Sequence, residues 1–408
     1  MAKRLLFVDD ETMVLDGLRR TLHSMRQEWE MHFVNSAAAA LEALEKEPYD
    51  AVVSDMRMPL TDGAQLLEQI KERYPDMVRM ILSGQSSREA VYRSISPAHQ
   101  FLSKPCDPQE LVARLSQAFA MRDLLANQSL KTVISRLRSI PSLPTLYEEL
   151  TAALRKEDPS LSQIAKIISK DVGMAAKILQ LANSAFVGAS GRVSSLSQAM
   201  SLIGTETVRT LVLSVHVFSQ FESNPQVTAN LPALWDHSVA VSALAQRIAN
   251  SEGCAKTIVE ESFTAGLLHD IGKVVLLAEM PREYHQIFET NPASKDAELQ
   301  RLGCTHAEVG AYLMSIWGLP LSLVHAVAFH HRPCETGEMH FSSLTAVHAA
   351  DAIASATDAS PLNHDAELDL TYLERLGLIA KESVWRGFHV PPAVSPAAAP
   401  AAEPPLKA

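Results

Sequence analysis

Five short apolar runs divide the N-terminal part of the sequence, and an amphipathic segment separates each run from the next. They read RLLFV, WEMHFV, DAVVS, MVRMIL and HQFLS, and they lie between residues 4 and 103. Short apolar runs that alternate with helical segments predict parallel strands joined by helical crossovers. We therefore predict a doubly wound α/β domain with a parallel sheet over residues 1–122.

The pattern changes after this domain, because the strand signals stop and the sequence from Pro141 to residue 388 has helical periodicity. Breaks that contain Pro, such as MPRE, NPAS and HRPCETGE, separate the helical stretches. We predict a helical connector over 123–138, an all-α domain with a helical extension over 139–388, and a disordered tail rich in Pro and Ala over 389–408.

The charge and the cysteine content limit the class of protein. The net charge is −11 and the sequence has no run of Lys or Arg, so we expect no direct DNA binding and no membrane association. The four cysteines form no CxxC pair, and the basic start MAKR precedes too few apolar residues for a signal peptide. No window approaches the length of a membrane span. We therefore expect a soluble cytoplasmic protein.

Charged and hydroxyl side chains follow the predicted strands at the points where the strands end. They are Asp9 and Asp10 after the first strand, Asp55 after the third, Ser83 after the fourth and Lys104 after the fifth. The carboxyl ends of parallel strands meet at one edge of a sheet, so these side chains should lie together. Clustered carboxylates repel one another unless a cation is present, and their hard oxygens suit Mg²⁺. A hydroxyl and an ammonium beside such an ion can hold the oxygens of a phosphoryl group.

This part of the chain resembles the receiver domain of two-component response regulators, through FVDDE, VVSDMRMPLTDG, ILSG and FLSKP. The resemblance implies a flavodoxin-like, five-stranded sheet with strand order 2-1-3-4-5 and a cis bond before Pro105. It also implies residue roles: Asp55 as the phosphoacceptor, Asp9, Asp10 and Asp55 with the backbone carbonyl of Arg57 as Mg²⁺ ligands, Ser83 and Lys104 as phosphoryl contacts, and Phe101 as the aromatic switch. The alternative is the acidic rim of a nucleotide-binding sheet, with Lys104 in solvent.

A second set of His and Asp residues lies in apolar stretches of the helical part, where ionisable groups are costly without partners. Imidazole nitrogens combined with carboxylate oxygens suit Mn²⁺, Fe²⁺ or Mg²⁺, and ligands distant in sequence can converge in a helical bundle. The main candidates for a metal site are His237, His269, Asp270 and Asp351. Further candidates are His306, His330 and His331 as ligands and Lys273 as a group that neutralises a phosphate.

The four main candidates resemble the ligands of the HD superfamily of metal-dependent phosphohydrolases. Residues 139–335 resemble more closely the HDOD domain, the HD-related output domain of bacterial signalling proteins, through RSIPSLPTLYEEL, IAKIISKDVGMAAKILQLANSAF and HAEVGAYLMSIWGLPLSLVHAVAFHH. That resemblance implies a non-hydrolytic signalling output. The Gly-Tyr-Pro motif of the cyclic-di-GMP phosphodiesterase branch is absent, because HHRP continues into CETGEMHF. As alternatives to a metal site, His269 and Asp270 form a buried hydrogen-bonded pair, and HHRP caps a helix.

Taken together, these patterns predict a bacterial two-component response regulator, with an α/β receiver domain ahead of an all-helical HD-superfamily-like domain. We expect a sensor histidine kinase to phosphorylate Asp55. We also expect the HDOD domain to act on downstream signalling proteins as a binding module rather than as an enzyme, with phosphorylation-dependent homodimerisation as one route of control. The alternative function is a metal-dependent HD-type phosphohydrolase or phosphodiesterase that acts on a nucleotide second messenger.

Overall fold

The computed structural model describes residues 2–83, 98–124, 141–142, 144–154, 160–183, 193–214, 219–220, 225–290, 297–356 and 366–388. These residues form a parallel α/β domain followed by a helical domain, as the sequence predicts. The connector beyond residue 124 and the tail over 389–408 lie outside the described residues, so both remain predictions.

The α/β domain contains one parallel sheet with the predicted strand order, β2-β1-β3-β4-β5. Each strand coincides with one of the five apolar runs: β1 is Lys3–Val8, β2 Trp29–Val34, β3 Ala51–Asp55, β4 Val78–Ser83 and β5 Gln100–Ser103. The described helices of this domain are α1 Thr12–Thr21, α2 Ala37–Lys46, α3 Gly63–Arg73 and α4 Pro108–Leu124. The Lys104–Pro105 bond is cis, as expected.

Helices cover the sheet on both faces, which explains why the strands are apolar throughout. In β1, Leu6 and Val8 pack in the same apolar cluster as α2 and α3, whereas Leu5 and Phe7 pack with α1 and α4. All residues of β3 are buried. A strand that is buried on both faces places its carboxyl end, with Asp55, at a fixed point of the sheet edge.

The helical domain is built from helices of very different length. They are α5 Pro144–Leu154, α6 Leu161–Ile168, α7 Val172–Ala182, α8 Leu196–Ser214, α9 Pro225–Ser251, α10 Lys256–Leu268, α11 Ile271–Glu279, α12 Pro281–Thr290, α13 Ala297–Leu302, α14 His306–Ile316, α15 Leu321–Phe329, α16 Ser343–Ser355, α17 Leu370–Arg375 and α18 Glu382–Arg386. One detail differs from the all-α prediction: Pro141–Ser142 (β6) pairs with Ser219–Gln220 (β7) as two short parallel strands. Strands of two residues are too short to give an alternating pattern.

Helix α16 lies at the centre of the helical domain, and all of its residues are buried. It packs against α9, α10 and α15. Polar side chains on such a helix need partners inside the protein, because water does not reach them. Asp351 is one of these side chains.

Two glycines allow α11 and α14 to approach closely. A Cβ atom at Gly272 would lie 1.9 Å from the carbonyl oxygen of His306, and one at Gly310 would lie 3.2 Å from the backbone nitrogen of Gly272. Real Cβ atoms do not approach a carbonyl oxygen this closely, so Gly272 is required for this contact. The close approach fixes the first turn of α14 against α11.

The two domains are in direct contact. Helix α4 of the α/β domain packs against α14 of the helical domain. One cluster of buried apolar side chains contains residues of both domains. In this state the two domains therefore pack as neighbours with a shared interior.

No helix among the described residues is long and apolar enough to cross a membrane.

We expect Gly272→Ala to destabilise the helical domain by at least about 2 kcal/mol, because the added methyl group meets backbone rather than a flexible side chain. Denaturant unfolding followed by circular dichroism measures the change. Gly17→Ala on α1 is the control, because no atom lies within 4 Å of its Cβ position, and it should stabilise slightly. Equal stability of Gly272→Ala and the wild type would show that α11 and α14 separate at little cost.

Candidate functional site

Two buried carboxylates and one ammonium meet at the carboxyl edge of the sheet. Asp9 and Asp55 are almost fully buried at the ends of β1 and β3. The Nζ atom of Lys104 lies 2.5 Å from Oδ2 of Asp9 and also contacts Oδ1 of Asp55. Lys104 therefore offsets the repulsion between two carboxylates that the fold brings together.

The loop after β3 is held close to Asp55. The backbone N–H of Arg57 donates to Oδ2 of Asp55 (2.5 Å). A Cβ atom at Gly63 would lie 2.1 Å from the carbonyl oxygen of Asp55, so α3 can begin here only with glycine. Asp62 caps α3 through a reciprocal pair of hydrogen bonds with Gln65. These contacts fix the direction of the Asp55 side chain.

The pKa of Asp55 reflects two opposing effects. Burial raises the pKa of this carboxyl above its ordinary value, while the contact with Lys104 lowers it by a smaller amount. Burial lowers the pKa of Lys104, but the hydrogen bonds to Asp55 and Asp9 outweigh burial and raise it. The ammonium form of Lys104 is therefore favoured, and it lies against the carboxyl group of Asp55.

The other residues predicted for this edge are placed as follows. Asp10 is exposed at the rim, beside the buried Asp9. Ser83 ends β4 and is partly buried, and β4 is adjacent to β3 in the sheet. The backbone of Phe101 lies in β5, but its side chain is outside the described residues, so its role as a switch remains a prediction.

The helical domain brings the four main His and Asp candidates together from three places in the bundle. His237 is on α9, Asp351 is on α16, and His269 and Asp270 form the junction between α10 and α11. The Nε2 atom of His237 lies 3.1 Å from Oδ1 of Asp351, and Nε2 of His269 lies 3.7 Å from the same oxygen. The Nε2 atom of His269 also lies 3.3 Å from Oδ2 of Asp270. All four side chains are buried.

The three further histidines lie in the same cluster. His306 is the first residue of α14, and its Nε2 atom lies 3.3 Å from Oδ1 of Asp270. The Nε2 atom of His330 is 3.9 Å from that oxygen, and Nε2 of His331 is 3.0 Å from Nε2 of His306. His330 is also the residue that caps the C-terminal end of α15. It therefore both caps a helix and belongs to the cluster.

Asp270 lies between two sets of ligand atoms. His237, His269 and Asp351 form one set, and His306, His330 and His331 form the other; within each set the ligand atoms lie within 4.8 Å of one another. A third set, His269, Asp270 and His330, joins them. We call all seven residues the His/Asp centre.

Three histidines of the centre are oriented by their second ring nitrogen. Nδ1–H of His269 donates to the carbonyl oxygen of Gly266 (2.7 Å), and Nδ1–H of His330 donates to that of Val327 (2.7 Å). Nδ1 of His306 lies 2.8 Å from Oε2 of Glu298. A carbonyl oxygen can only accept, so the Nε2 atoms of His269 and His330 are directed into the centre.

Several buried polar atoms of the centre have no hydrogen-bond partner among the described residues. They are Nε2 of His269, Nε2 of His330, and both carboxylate oxygens of Asp270. Asp270 forms ion pairs with Lys273 at 3.1 Å and with His269 and His306 at 3.3 Å, but none of these contacts has the geometry of a hydrogen bond. Buried polar atoms are nearly always satisfied, so these four atoms indicate that the centre is built to hold a further group.

The charges in the centre compensate one another. Burial would lower the pKa of His269, but Asp270 and Asp351 outweigh burial and raise it to about 10. Burial would raise the pKa of Asp270, but His269 and Lys273 outweigh it and hold this pKa well below the ordinary value. Burial and the neighbouring His331 lower the pKa of His330. Asp270 and Asp351 are thus two buried anions. Their charge is balanced either by a protonated His269 or by another cation.

Lys273 is also buried, and its Nζ atom lies 3.1 Å from Oδ2 of Asp270. Lys273 follows Asp270 by one helical turn, and the sequence predicts that it neutralises a phosphate. Its contact in the structure is with the carboxylate.

Two residues outside the predicted set, Glu298 and His348, support the centre. Glu298 accepts hydrogen bonds from the backbone N–H of His306 (2.7 Å) and from the hydroxyl of Tyr284 (2.8 Å). Nδ1–H of His348 donates to the carbonyl oxygen of His330 (2.6 Å), and its Nε2 accepts from the backbone N–H of Asp369 (2.8 Å). Eight residues separate Glu298 from His306, a spacing that no periodic pattern selects.

Comparisons with known proteins agree with both domains. The family model of the response regulator receiver domain matches residues 5–116, and that of the HDOD domain matches residues 140–333. The chain is therefore a response regulator, in which a receiver domain is followed by an HDOD domain as its output.

Among individual relatives, an uncharacterised protein of Treponema pallidum is 25% identical over 261 residues, which cover 62% of this chain and 48% of the relative. The hydrogenase transcriptional regulatory protein HoxA of Cupriavidus necator is 35% identical over 121 residues, 29% of this chain and 24% of HoxA. The chain thus spans about half of the first relative and about a quarter of the second. Among solved structures, the MmoQ response regulator of Methylococcus capsulatus is 23% identical with a TM-score of 0.47, over 61% of this chain and 98% of that chain.

We expect Lys104→Met to raise the pKa of Asp55 further, by about one unit or more, because the compensating ammonium is lost. The carboxylate form would then be protonated at a higher pH than in the wild type. Carbon-13 NMR of aspartate-labelled protein, followed as a function of pH, measures this change. Lys46→Met removes an exposed lysine of α2 and should leave the titration of Asp55 unchanged. An unaltered pKa in Lys104→Met would contradict the role of Lys104.

Proposed function

We propose that a sensor histidine kinase transfers a phosphoryl group to Asp55 and that this modification controls the HDOD domain. The Asp55 carboxylate lies at the sheet edge beside Asp9, and Lys104 contacts both. These groups support phosphoryl transfer, because the acceptor is a carboxyl oxygen and the ammonium of Lys104 lies beside it.

In this proposal Asp9, Asp10, Asp55 and the backbone carbonyl of Arg57 hold Mg²⁺, while Ser83 and Lys104 contact the phosphoryl oxygens. The donor set consists of oxygen atoms, which fits a hard ion. Bound Mg²⁺ would supply positive charge that stabilises the transferred phosphoryl group. Phe101 next to this edge would change its packing when the site is phosphorylated.

We expect Asp55→Asn to abolish labelling by radioactive acetyl phosphate, because an amide cannot form the acyl phosphate. Labelling is measured by autoradiography in the presence of Mg²⁺. Asp16→Asn, on the solvent side of α1, is the matched control and should label like the wild type. Retained label on Asp55→Asn would identify a different acceptor.

We propose further that the His/Asp centre binds divalent metal ions. The observation that carries this proposal is the group of four buried atoms without hydrogen-bond partners: Nε2 of His269, Nε2 of His330 and the two oxygens of Asp270. Imidazole nitrogens with carboxylate oxygens suit Mn²⁺ or Fe²⁺, and Mg²⁺ less well. His237, His269 and Asp351 on one side of Asp270, and His306, His330 and His331 on the other, are the residues that would hold metal.

With metal bound, the HDOD domain would act as a signalling module that recognises downstream proteins. A metal that joins α9, the α10–α11 junction, α14, α15 and α16 would fix the relative positions of these helices. The surface that they present would then depend on occupancy of the centre.

A second candidate function is hydrolysis of a phosphate ester such as a nucleotide second messenger. The observation that favours hydrolysis is the position of His331, whose side chain is 21% exposed while the rest of the centre is buried. A substrate would therefore reach the centre from the side of His331. Bound metal would lower the pKa of a water molecule and make it a nucleophile. Lys273 is paired with Asp270 in this structure and would contact a phosphate only if that pair were broken.

Receiver-mediated homodimerisation also remains a proposal. Gln100 of β5 and Arg114 of α4 are buried in this structure against the helical domain. A dimer that uses β5 and α4 would therefore require the two domains to separate first.

We expect the wild type, purified without chelator or nickel, to contain near-stoichiometric Mn or Fe by mass spectrometry. Asp270→Ala should lower the metal affinity by more than about tenfold, because it removes a carboxylate that lies beside both sets of candidate ligands. His331→Ala changes the most exposed ligand and provides a variant that disturbs the fold less. His325→Gln is the matched control, because His325 lies on the same helix as His330 but pairs with Glu338 outside the centre.

Wild-type protein without metal, even after reconstitution with Mn²⁺, would contradict the metal centre and support a hydrogen-bonded pair. The same samples separate the two output functions. Metal-dependent hydrolysis of bis(4-nitrophenyl) phosphate that is lost in Asp270→Ala would favour the hydrolase. Metal binding without hydrolysis would favour the signalling module.

A further inference from the structure

Helix α14 contacts a different part of the molecule at each end. At its first residue, Nε2 of His306 lies 3.3 Å from Asp270 in the His/Asp centre. Near its last residue, the carbonyl oxygen of Ser315 accepts a hydrogen bond from the side-chain amide of Gln100 in the receiver (3.3 Å). The hydroxyl of Ser315 donates to the carbonyl oxygen of Gln117 on α4 (3.4 Å). One helix of eleven residues therefore joins the centre to the receiver.

These contacts lie in a buried interface. Gln100 is 3% exposed and Ser315 is 0% exposed, so the hydrogen bond between them is shielded from water. The side-chain amide of Gln117 adds a bond to the carbonyl oxygen of Leu319, just beyond α14 (3.1 Å). Loss of a buried hydrogen bond is costly, because its groups cannot turn to water instead. The C-terminal end of α14 is thus energetically tied to the receiver.

The backbone after α14 is shaped to fit the receiver. Gly318 has a φ of 72°, and a Cβ atom there would lie 2.7 Å from a guanidinium nitrogen of Arg114 and 3.0 Å from the side chain of Gln100. Arg114 also donates to the carbonyl oxygen of Asn183, after α7 (3.2 Å). The receiver therefore contacts the helical domain at the end of α14 and after α7, and a side chain at residue 318 would displace Arg114 and Gln100.

The receiver side of this interface leads directly to the phosphoacceptor. Strand β5 begins at Gln100 and ends at Ser103, and the next residue, Lys104, contacts Asp55 and Asp9. Four strand residues span about 13 Å. A change in the position of Lys104 therefore acts on the same strand that holds Gln100 against Ser315.

The other side of the interface leads directly to the centre. Helix α14 is about 16 Å long, and an α-helix of this length transmits displacement along its axis as a rigid element. Its first turn is fixed on α11 by the close approach of Gly272 to His306. Helix α11 begins after Asp270 and carries Lys273, so displacement of α14 changes the geometry on both sides of Asp270.

We propose that β5 and α14 couple the two sites, so that phosphorylation of Asp55 and metal occupancy of the His/Asp centre change each other's free energy. The inference rests on the metal centre proposed above. Its two states are the docked interface of this structure and an interface in which β5 has released Ser315. Coupling of this kind is reciprocal, because it is a property of the equilibrium between the two states.

The direction follows from the contacts. In the docked state α14 is held at both ends and His306 points at Asp270. Repacking of β5 around the phosphorylated site removes the restraint at Ser315, and displacement of the released α14 shifts α11 and the adjacent Asp270 through the backbone contact at Gly272. Phosphorylation therefore weakens metal binding, and bound metal disfavours phosphorylation.

The experiment measures the Kd of Mn²⁺ for the full-length protein by titration calorimetry, in saturating Mg²⁺, with and without beryllofluoride as the phosphoryl mimic. Asp270→Ala identifies the part of the heat that belongs to the centre. In the wild type we expect beryllofluoride to weaken Mn²⁺ binding by about fivefold or more. In Gln100→Ala/Gln117→Ala, which removes the side-chain amides at the interface, the change should fall below about twofold.

The matched control is Gln109→Ala/Gln198→Ala, which removes two exposed glutamines, one from each domain, and should behave like the wild type. An unchanged Kd in the wild type, a tightening by beryllofluoride, or the same weakening in the interface variant would overturn the proposal.

Hydrogen–deuterium exchange separates failure of the coupling from failure of the metal centre. With beryllofluoride, amide exchange of the segment 306–316 should increase in the wild type but not in the interface variant. Absence of Mn²⁺ binding with this exchange response would contradict the metal centre but support the mechanical connection through α14. Mn²⁺ binding without an exchange response or a change in Kd would leave the metal centre intact and overturn the coupling.

Discussion

Compensation of buried carboxylate charge is the constraint on which both sites of this protein depend. Asp9 and Asp55 in the receiver, and Asp270 and Asp351 in the HDOD domain, are removed from water, and an ionised carboxylate in that position costs several kcal/mol unless cations accompany it. Lys104 serves this purpose at the sheet edge. In the helical domain, His269 and Lys273 serve it around Asp270. Each site thus carries its own positive charge and remains suited to a divalent cation.

The scaffold determines how accurately these charges are placed. A strand that is buried on both faces fixes Asp55, and a helix that is buried on all sides fixes Asp351. Glycine is required where two backbones meet, at Gly63 beside Asp55 and at Gly272 beside His306. In both sites a site residue, Asp55 or His306, lies at a point of close backbone contact. A small displacement of the backbone at that point changes the position of its side chain relative to the other residues of the site.

The interface between the domains gives the two sites a physical connection. It combines an apolar cluster that both domains share with hydrogen bonds from the side chains of Gln100 and Gln117 to the end of α14. A shared apolar interior opposes separation of the domains, so a change within the receiver is passed to the residues packed against it. In the coupling proposed above, a receiver that changes shape at β5 acts on the HDOD domain without direct contact between Asp55 and the His/Asp centre.

The sequence by itself determined the elements of the receiver, because local periodicity decides them: the five apolar runs are the five strands, and the residues that follow them meet at one edge. It also determined which His and Asp residues of the helical part lie in apolar surroundings. Only the tertiary structure decided that His306, His330 and His331 lie in one cluster with the four main candidates. It also decided that Glu298 orients His306 and that His348 contacts the backbone of His330. The short pairing of β6 with β7 and the contact of Gln100 with Ser315 were likewise decided only in three dimensions. Local periodicity shows which face of a helix or strand is buried, but it does not show which distant element covers that face, because many pairings bury the same face equally well.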